Sequence, residues 1–307
     1  MSGNQHDYRT RDIPVQGGTL RVGIWGPDEQ HAPTILAVHG VTASHRAWSV
    51  LATQLPGVRI IAPDWRGRGR SNHLPGPYGM PVHADDLAEL LEQCSAGPVL
   101  VVGHSMGAFA ALVLAHRHPG RVSSLILIDG GLPLQVAPGL SDEQIVQAVL
   151  GPAAERLEME FASSEEYRNY WRPHPAFAGH WAPGVEDYLD YDLQGEAPHL
   201  KPSPSYAALA EDTAELHRGT SLLTALAQLS HGVLFLQATR GLFDELPGLY
   251  RDDYVAHWAQ TLPRFDARPV PDTNHYTIVM DSAGAAVVAG FITDVLAASP
   301  ALRTPLS

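Results

Sequence analysis

A doubly wound α/β fold, with an eight-stranded, mostly parallel sheet and one inserted helical unit, is what this 307-residue chain predicts. Three observations carry that expectation. Short apolar runs rich in β-branched residues alternate with amphipathic stretches from the start of the chain to about Gly130. The alternation stops between about Leu132 and Arg218, where Glu, Tyr, Trp and Pro become frequent. It then resumes at Gly232 and continues to the last helical stretch. Strand–helix–strand alternation of this kind predicts a parallel sheet with helices on both faces.

Taken in order, Tyr8–Gly17 and Thr19–Gly26 read as an antiparallel edge hairpin turning at Gly17-Gly18. Thr34–Gly40, Val58–Trp65, Pro98–Ser105 and Ser123–Gly130 are continuous apolar runs bounded by Gly or Pro. Such runs suit strands buried on both faces. Helical patterns occupy Val82–Cys94 and Met106–His118, the second ending at His118-Pro119-Gly120. No strand pattern is evident between Leu132 and Arg218. There, Ser141–Glu160 reads as a helix opened by Ser141 as N-cap, and Glu165–Trp171, Val185–Leu193 and Ser205–Leu216 as shorter helices. Gly232–Thr239 returns to the sheet pattern, followed by a helix over Asp252–Leu262, a strand at Phe265–Val270 and a final helix over Asp281–Ala298. The expected organisation is a core domain of residues 1–131 and 219–307, with residues 132–218 inserted.

The bulk composition bounds the partners. Hydrophobic residues make up 45% and charged residues 17%, as in an ordinary soluble globular protein. Lys plus Arg is 20 against 33 Asp plus Glu, a formal charge of −13. That balance argues against nucleic acid or an anionic membrane surface as the main partner. A small-molecule substrate is the expected partner, for a monomer or a homodimer. Cys94 is the single cysteine, so no intramolecular disulfide forms, and its place beside the apolar stripe Leu87, Leu90 and Leu91 reads as a buried thiol. Met1–Asp12 is polar without a signal-peptide pattern, and no apolar run approaches the roughly 18 residues a membrane helix needs. A cytoplasmic location is the expectation.

Gly103-His104-Ser105-Met106-Gly107 is the strongest chemical signal. It fits the G-x-S-x-G nucleophile elbow, and a buried strand precedes it while a helix follows. The glycines give a sharp turn the room it needs, lifting the Ser105 hydroxyl above the sheet and placing the Met106 amide at a helix N-terminus. His39-Gly40-Val41 ends an earlier strand, where the backbone N–H of Val41 is the candidate second oxyanion donor. His275 lies in Asp272-Thr273-Asn274-His275, between the last predicted strand and the last helix. A neutral imidazole there can take the Ser105 proton and return it to a leaving group. The chain has 16 histidines, and it is the position in the final loop that singles out this one.

In this order these pieces resemble the α/β-hydrolase superfamily over nearly the whole chain. Asp64-Trp65-Arg66-Gly67-Arg68-Gly69-Arg70-Ser71 matches the D-x-R-G-x-G-x-S turn common in those enzymes. The resemblance implies a triad in the chain order Ser, acid, His, and a helical cap over the active site where the insertion lies. It also implies an acid in the loop after Gly232–Thr239. Asp244 fits, 31 residues before His275, with Glu245 beside it. Asp129, ending the strand after the nucleophile helix, is the rival, since some relatives place their acid there. Its role would be to hold the His275 tautomer and stabilise the imidazolium.

Serine at the elbow points to an acyl-enzyme made from an ester, lactone, thioester or amide. Cleavage of a carboxylic ester or lactone of a small to medium apolar or aromatic substrate is the leading expectation. Carbon–carbon bond hydrolysis, a lyase reaction, thioester cleavage and ligand binding by a relic triad are the alternatives. Tyr167, Tyr170, Trp171, Phe177, Trp181, Tyr188 and Tyr191 crowd the insertion, and Trp171 and Trp181 are its candidate substrate-binding residues. The same aromatics also suit the core of a small helical unit. His174 and His180 match no metal-ligand spacing, and neither metal nor cofactor is expected.

Overall fold

The computed structural model of the protein describes residues 8–29, 32–95, 97–135, 139, 141, 144 and 155–298. It opens with β1 (Arg9–Val15) and β2 (Gly18–Trp25), an antiparallel hairpin with Arg9 opposite Ile24 and Val15 opposite Gly18. There follow β3 (Thr34–Val38), α1 (Ser49–Thr53), β4 (Arg59–Pro63), α2 (Met80–Cys94), β5 (Val99–His104), α3 (Met106–Arg117) and β6 (Val122–Ile128). Next come α4 (Ser164–Trp171), α5 (Pro183–Asp192), the two-residue strands β7 (Leu193–Gln194) and β8 (Lys201–Pro202), α6 (Tyr206–Arg218) and α7 (Thr220–Ala227). β9 (Val233–Ala238), α8 (Asp252–Thr261), β10 (Phe265–Val270), α9 (Thr277–Met280) and α10 (Ser282–Ala298) follow, to the end of the described residues.

Eight strands form one sheet in the order β1-β2-β4-β3-β5-β6-β9-β10. The first two pairings are antiparallel and the rest parallel. The continuous apolar runs have a simple cause: alternate side chains enter two different cores. Leu36, Val38, Val99 and Val101 face α2, α3 and α7, packing with Leu87, Leu91, Phe109 and Leu222. Ile35, Ala37, Leu100 and Val102 face α1 and α10, packing with Leu51, Val288 and Ile292. Cys94 is buried in the first core, and burial pushes its thiol up.

β3 has β4 on one side and β5 on the other, so the chain reverses its direction across the sheet between them. The crevice at their carboxyl ends is where an open α/β sheet takes its ligand. His39, Gly40 and Val41 leave β3 there, and Ser105 leaves β5 beside them.

One sequence expectation of the fold changes. The segment from Leu132 to Arg218 does contain strand: β7 pairs with β8, and Phe161 bridges Leu200. Two-residue strands are too short to show a period. The helix expected over Ser141–Glu160 falls largely outside the described residues, with 155–157 helical. Finally, α1 and α7 had no expectation; α7 packs Leu222, Ala225 and Leu226 into the α2–α3 core. Among the described residues, no helix is long and apolar enough to cross a membrane.

The insertion has its own polar clamp. Arg156 binds Asp192 at 2.7 Å and also reaches the Tyr167 hydroxyl, which donates to Asp192 at 2.5 Å. All three side chains are buried, so each must have such a partner.

Candidate active site

Ser105 occupies the sharp turn between β5 and α3 with φ 54° and ψ −126°. A residue with a side chain pays to adopt that backbone, and the surroundings hold it there. The flanking glycines explain how. A Cβ on Gly103 would stand 2.4 Å from the Gly107 carbonyl oxygen, and one on Gly107 would stand 2.0 Å from that of Val38. Only hydrogen fits at either place. Met106 is the first residue of α3, so its amide has no acceptor inside the helix and lies at the positive end of the dipole. Gly40 lies against Ser105: a Cβ there would come 3.4 Å from Ser105 Oγ. Val41 and Met106 line the same cavity as Ser105.

His275 is carried by the loop between β10 and α9. Its Nδ1 meets Asp129 Oδ2 at 2.6 Å, both side chains buried. A carboxylate accepting at Nδ1 fixes the proton there and leaves Nε2 as the free base. Asp129 itself, at the end of β6 with φ 45°, receives the Ala238 amide on Oδ1 at 3.3 Å. Its buried charge also helps to hold the Tyr250 hydroxyl above its usual range, burial being the larger cause.

The carboxylate on His275 is therefore that of Asp129 and not of Asp244. The loop after β9 curls on itself, with Arg240 Nε donating to Asp244 Oδ1 at 2.9 Å and the Gly241 amide to the Glu245 carbonyl at 2.9 Å. Asp244 is left 37% exposed, one residue away from the imidazole: its Oδ1 accepts from Asn274 Nδ2 at 3.1 Å. Glu245 turns back to the Phe243 amide.

Asn274 organises the histidine loop, and nothing in its sequence context marked it. Its side-chain oxygen accepts from the amides of Tyr276 and Thr277 at 3.0 and 2.9 Å, and its nitrogen also donates to the Ala176 carbonyl at 2.9 Å. His104, the second residue of the elbow motif, is a further addition. Its Nε2 donates to the His275 carbonyl at 2.8 Å, and the two rings lie 4.7 Å apart. Burial holds His104 well below the usual histidine range. His39 is buried as deeply, which lowers it to about 3. Burial thus disfavours the charged form of both His39 and His104.

The cavity above Ser105 has a volume of about 110 Å³. Phe109, Leu134, Tyr188, Leu216, Tyr276 and Met280 are among the side chains that line it. Trp171 and Trp181 are not among them. Trp171 packs on Tyr167 and Phe177 beneath the Arg156 guanidinium, and Trp181 donates to Glu186 with Arg172 over its ring. Their rings are consumed by the core of the insertion, which reaches the cavity instead through Leu134, Tyr188 and Leu216.

Comparison with known proteins agrees with this architecture. A sequence-family profile described as alpha/beta hydrolase fold matches residues 33–158. Lipase LipV of Mycobacterium tuberculosis is 36% identical over 160 residues, covering 52% of this chain and 56% of LipV. The chain thus aligns with about half of that relative's length. The 3-hydroxybutyrate-oligomer hydrolase of Cupriavidus necator is 27% identical over 290 residues, covering 88% of this chain and 91% of that protein. Among solved structures, E-2-(acetamidomethylene)succinate hydrolase superposes with a TM-score of 0.76 at 22% identity, covering 94% of this chain and 98% of that one. With its eight-stranded sheet, its serine turn after β5 and a profile match over residues 33–158, the chain has the α/β-hydrolase fold.

Proposed function

We propose that the protein is a serine hydrolase that cleaves a carboxylic ester or lactone through an acyl-Ser105 intermediate. The carrying observation is the 2.6 Å contact of Asp129 with His275 Nδ1, in a cavity that Ser105 shares with His275. In this reading His275 Nε2 takes the Ser105 proton as Oγ adds to the substrate carbonyl carbon. The oxyanion rests on the amides of Val41 and Met106, and Asp129 stabilises the imidazolium. Collapse expels the alcohol, which receives the proton from His275. Water then repeats the sequence against the acyl-enzyme, releasing the acid and free Ser105.

The lining supports an uncharged acyl group of small to medium size, since Phe109, Leu134, Leu216 and Met280 offer apolar surface. From the insertion, Leu134, Tyr188 and Leu216 reach the cavity and act as its lid. The LipV and oligomer-hydrolase likenesses point the same way. The test is hydrolysis of p-nitrophenyl esters from acetate to decanoate by wild type and Ser105→Ala. Turnover is expected to fall by at least about 10⁴-fold in the variant. Equal rates for the two proteins would sink the proposal.

A further inference from the structure

The arginine-rich turn from Asp64 to Ser71 is used by none of the steps above, yet it is where the insertion sits down. Tyr191 donates to Asp64 Oδ2 at 2.7 Å, the Gly69 amide to Ser203 Oγ at 3.1 Å, and Arg70 to the Leu193 carbonyl at 3.0 Å. Arg68 stands in the middle, fully buried. One of its guanidinium nitrogens meets Asp212 Oδ2, from α6, at 2.5 Å. On its other side Nε donates to the Val41 carbonyl at 2.9 Å, and a terminal nitrogen lies 4.0 Å from Met106 Sδ.

A second tether runs parallel to the first. Asp212 also binds His83 Nε2 at 2.9 Å, and the His83 ring packs edge-on against Trp65 at 4.4 Å. The Trp65 indole N–H donates to the His39 carbonyl at 3.1 Å. His39 and Val41 are thus held from either side, with Gly40 pressed on Ser105 between them.

We propose that Arg68 is the positioning residue of the oxyanion hole, with Asp212 fixing its guanidinium and so linking helix α6 to the Val41 and Met106 donors. The proposal rests on the hydrolase reading of this site. Its physical basis is the planar fork. A guanidinium spans the backbone carbonyls of Val41 and Arg66 and the Asp212 carboxylate at once, whereas an ammonium keeps the charge and cannot reach all three. Oxyanion stabilisation depends on donors fixed in advance, so loosening them lowers the rate of the chemical step more than substrate binding.

The test compares Arg68→Lys and Asp212→Asn with Arg66→Lys, on the best p-nitrophenyl ester. Arg66 is equally buried in the same turn, but it bonds Asp86, Pro75 and Gln16 instead. Active sites are counted with a fluorophosphonate, and Ki is measured for a trifluoromethyl ketone that mimics the tetrahedral intermediate. Arg68→Lys is expected to lose about tenfold in kcat per titrated site, with KM within about twofold and Ki raised in proportion to the kcat loss. Asp212→Asn should lose less in the same pattern. Arg66→Lys should lower Tm and leave kcat per site unchanged. A folded Arg68→Lys with wild-type kcat and Ki overturns the proposal. Should that variant not fold, a folded Asp212→Asn with wild-type values does so. A wild type that neither hydrolyses esters nor reacts with the fluorophosphonate overturns the hydrolase reading and this inference together.

Discussion

Asp129 and Asp244 both sit beyond the end of a parallel strand with positive φ, 45° and 62°, yet only one touches His275. Asp129 is fully buried and aimed at Nδ1, while Asp244 is shared between Arg240 and Asn274 near the surface. Asp129→Asn should therefore lower kcat by about 10³- to 10⁴-fold, since an amide favours the wrong imidazole tautomer. Asp244→Asn should cost no more than about tenfold, the worth of one hydrogen bond to the Asn274 bracket. Steady-state kinetics of the two variants decides, and a larger loss at Asp244 would reverse the assignment. The choice is illegible in the sequence because separation along the chain says nothing about which carboxylate turns inward. The elbow around Ser105 is legible because its glycines are demanded by backbone contact. His275 is singled out by its place in the final loop, whereas its bracket Asn274 has no sequence signature.

At the scale of elements, the β5–α3 turn leaves no room for a side chain at Gly103 or Gly107. Gly107→Ala would drive a Cβ to 2.0 Å from the Val38 carbonyl oxygen, so β3 and α3 must separate. A cost of at least about 2 kcal/mol is expected, seen in calorimetry as a Tm lower by about 5 °C. An unchanged Tm would mean that the two elements are not closely packed there. The sheet is legible in the sequence because its interior strands are apolar on both faces. The insertion is less so. Its aromatic density announces a core, and Trp171 and Trp181 are spent on that core rather than on the cavity. Short pieces such as α1, β7 and β8 complete less than two periods of any pattern. The turn at Asp64–Ser71 is recognisable as a motif, but its partners Tyr191, Ser203 and Asp212 lie more than 100 residues away.

For the whole molecule, the buried histidines set how stability responds to acid. His39 is lowered to about 3 by burial, and His104 is lowered in the same direction. Between those values and the ordinary histidine range the unfolded chain binds protons that the folded chain refuses. Their contribution is complete above about pH 6.5 and is lost as pH falls, by up to about 1.4 kcal/mol per pH unit for each histidine. Urea unfolding between pH 6.5 and 5 should show a slope that becomes shallower by about that amount in His39→Gln. An identical slope would mean that His39 is protonated in the folded protein. The central claim, that buried Asp129, His275 and strained Ser105 act together as one hydrolytic unit, is tested most directly by trapping its intermediate. Wild type mixed with p-nitrophenyl butyrate and quenched in acid is examined by intact-protein and peptide mass spectrometry. The account predicts a single butyryl group on Ser105, absent from Ser105→Ala and formed far more slowly in Asp129→Asn. Ester turnover with no adduct on Ser105, or an equal adduct elsewhere in Ser105→Ala, would contradict it.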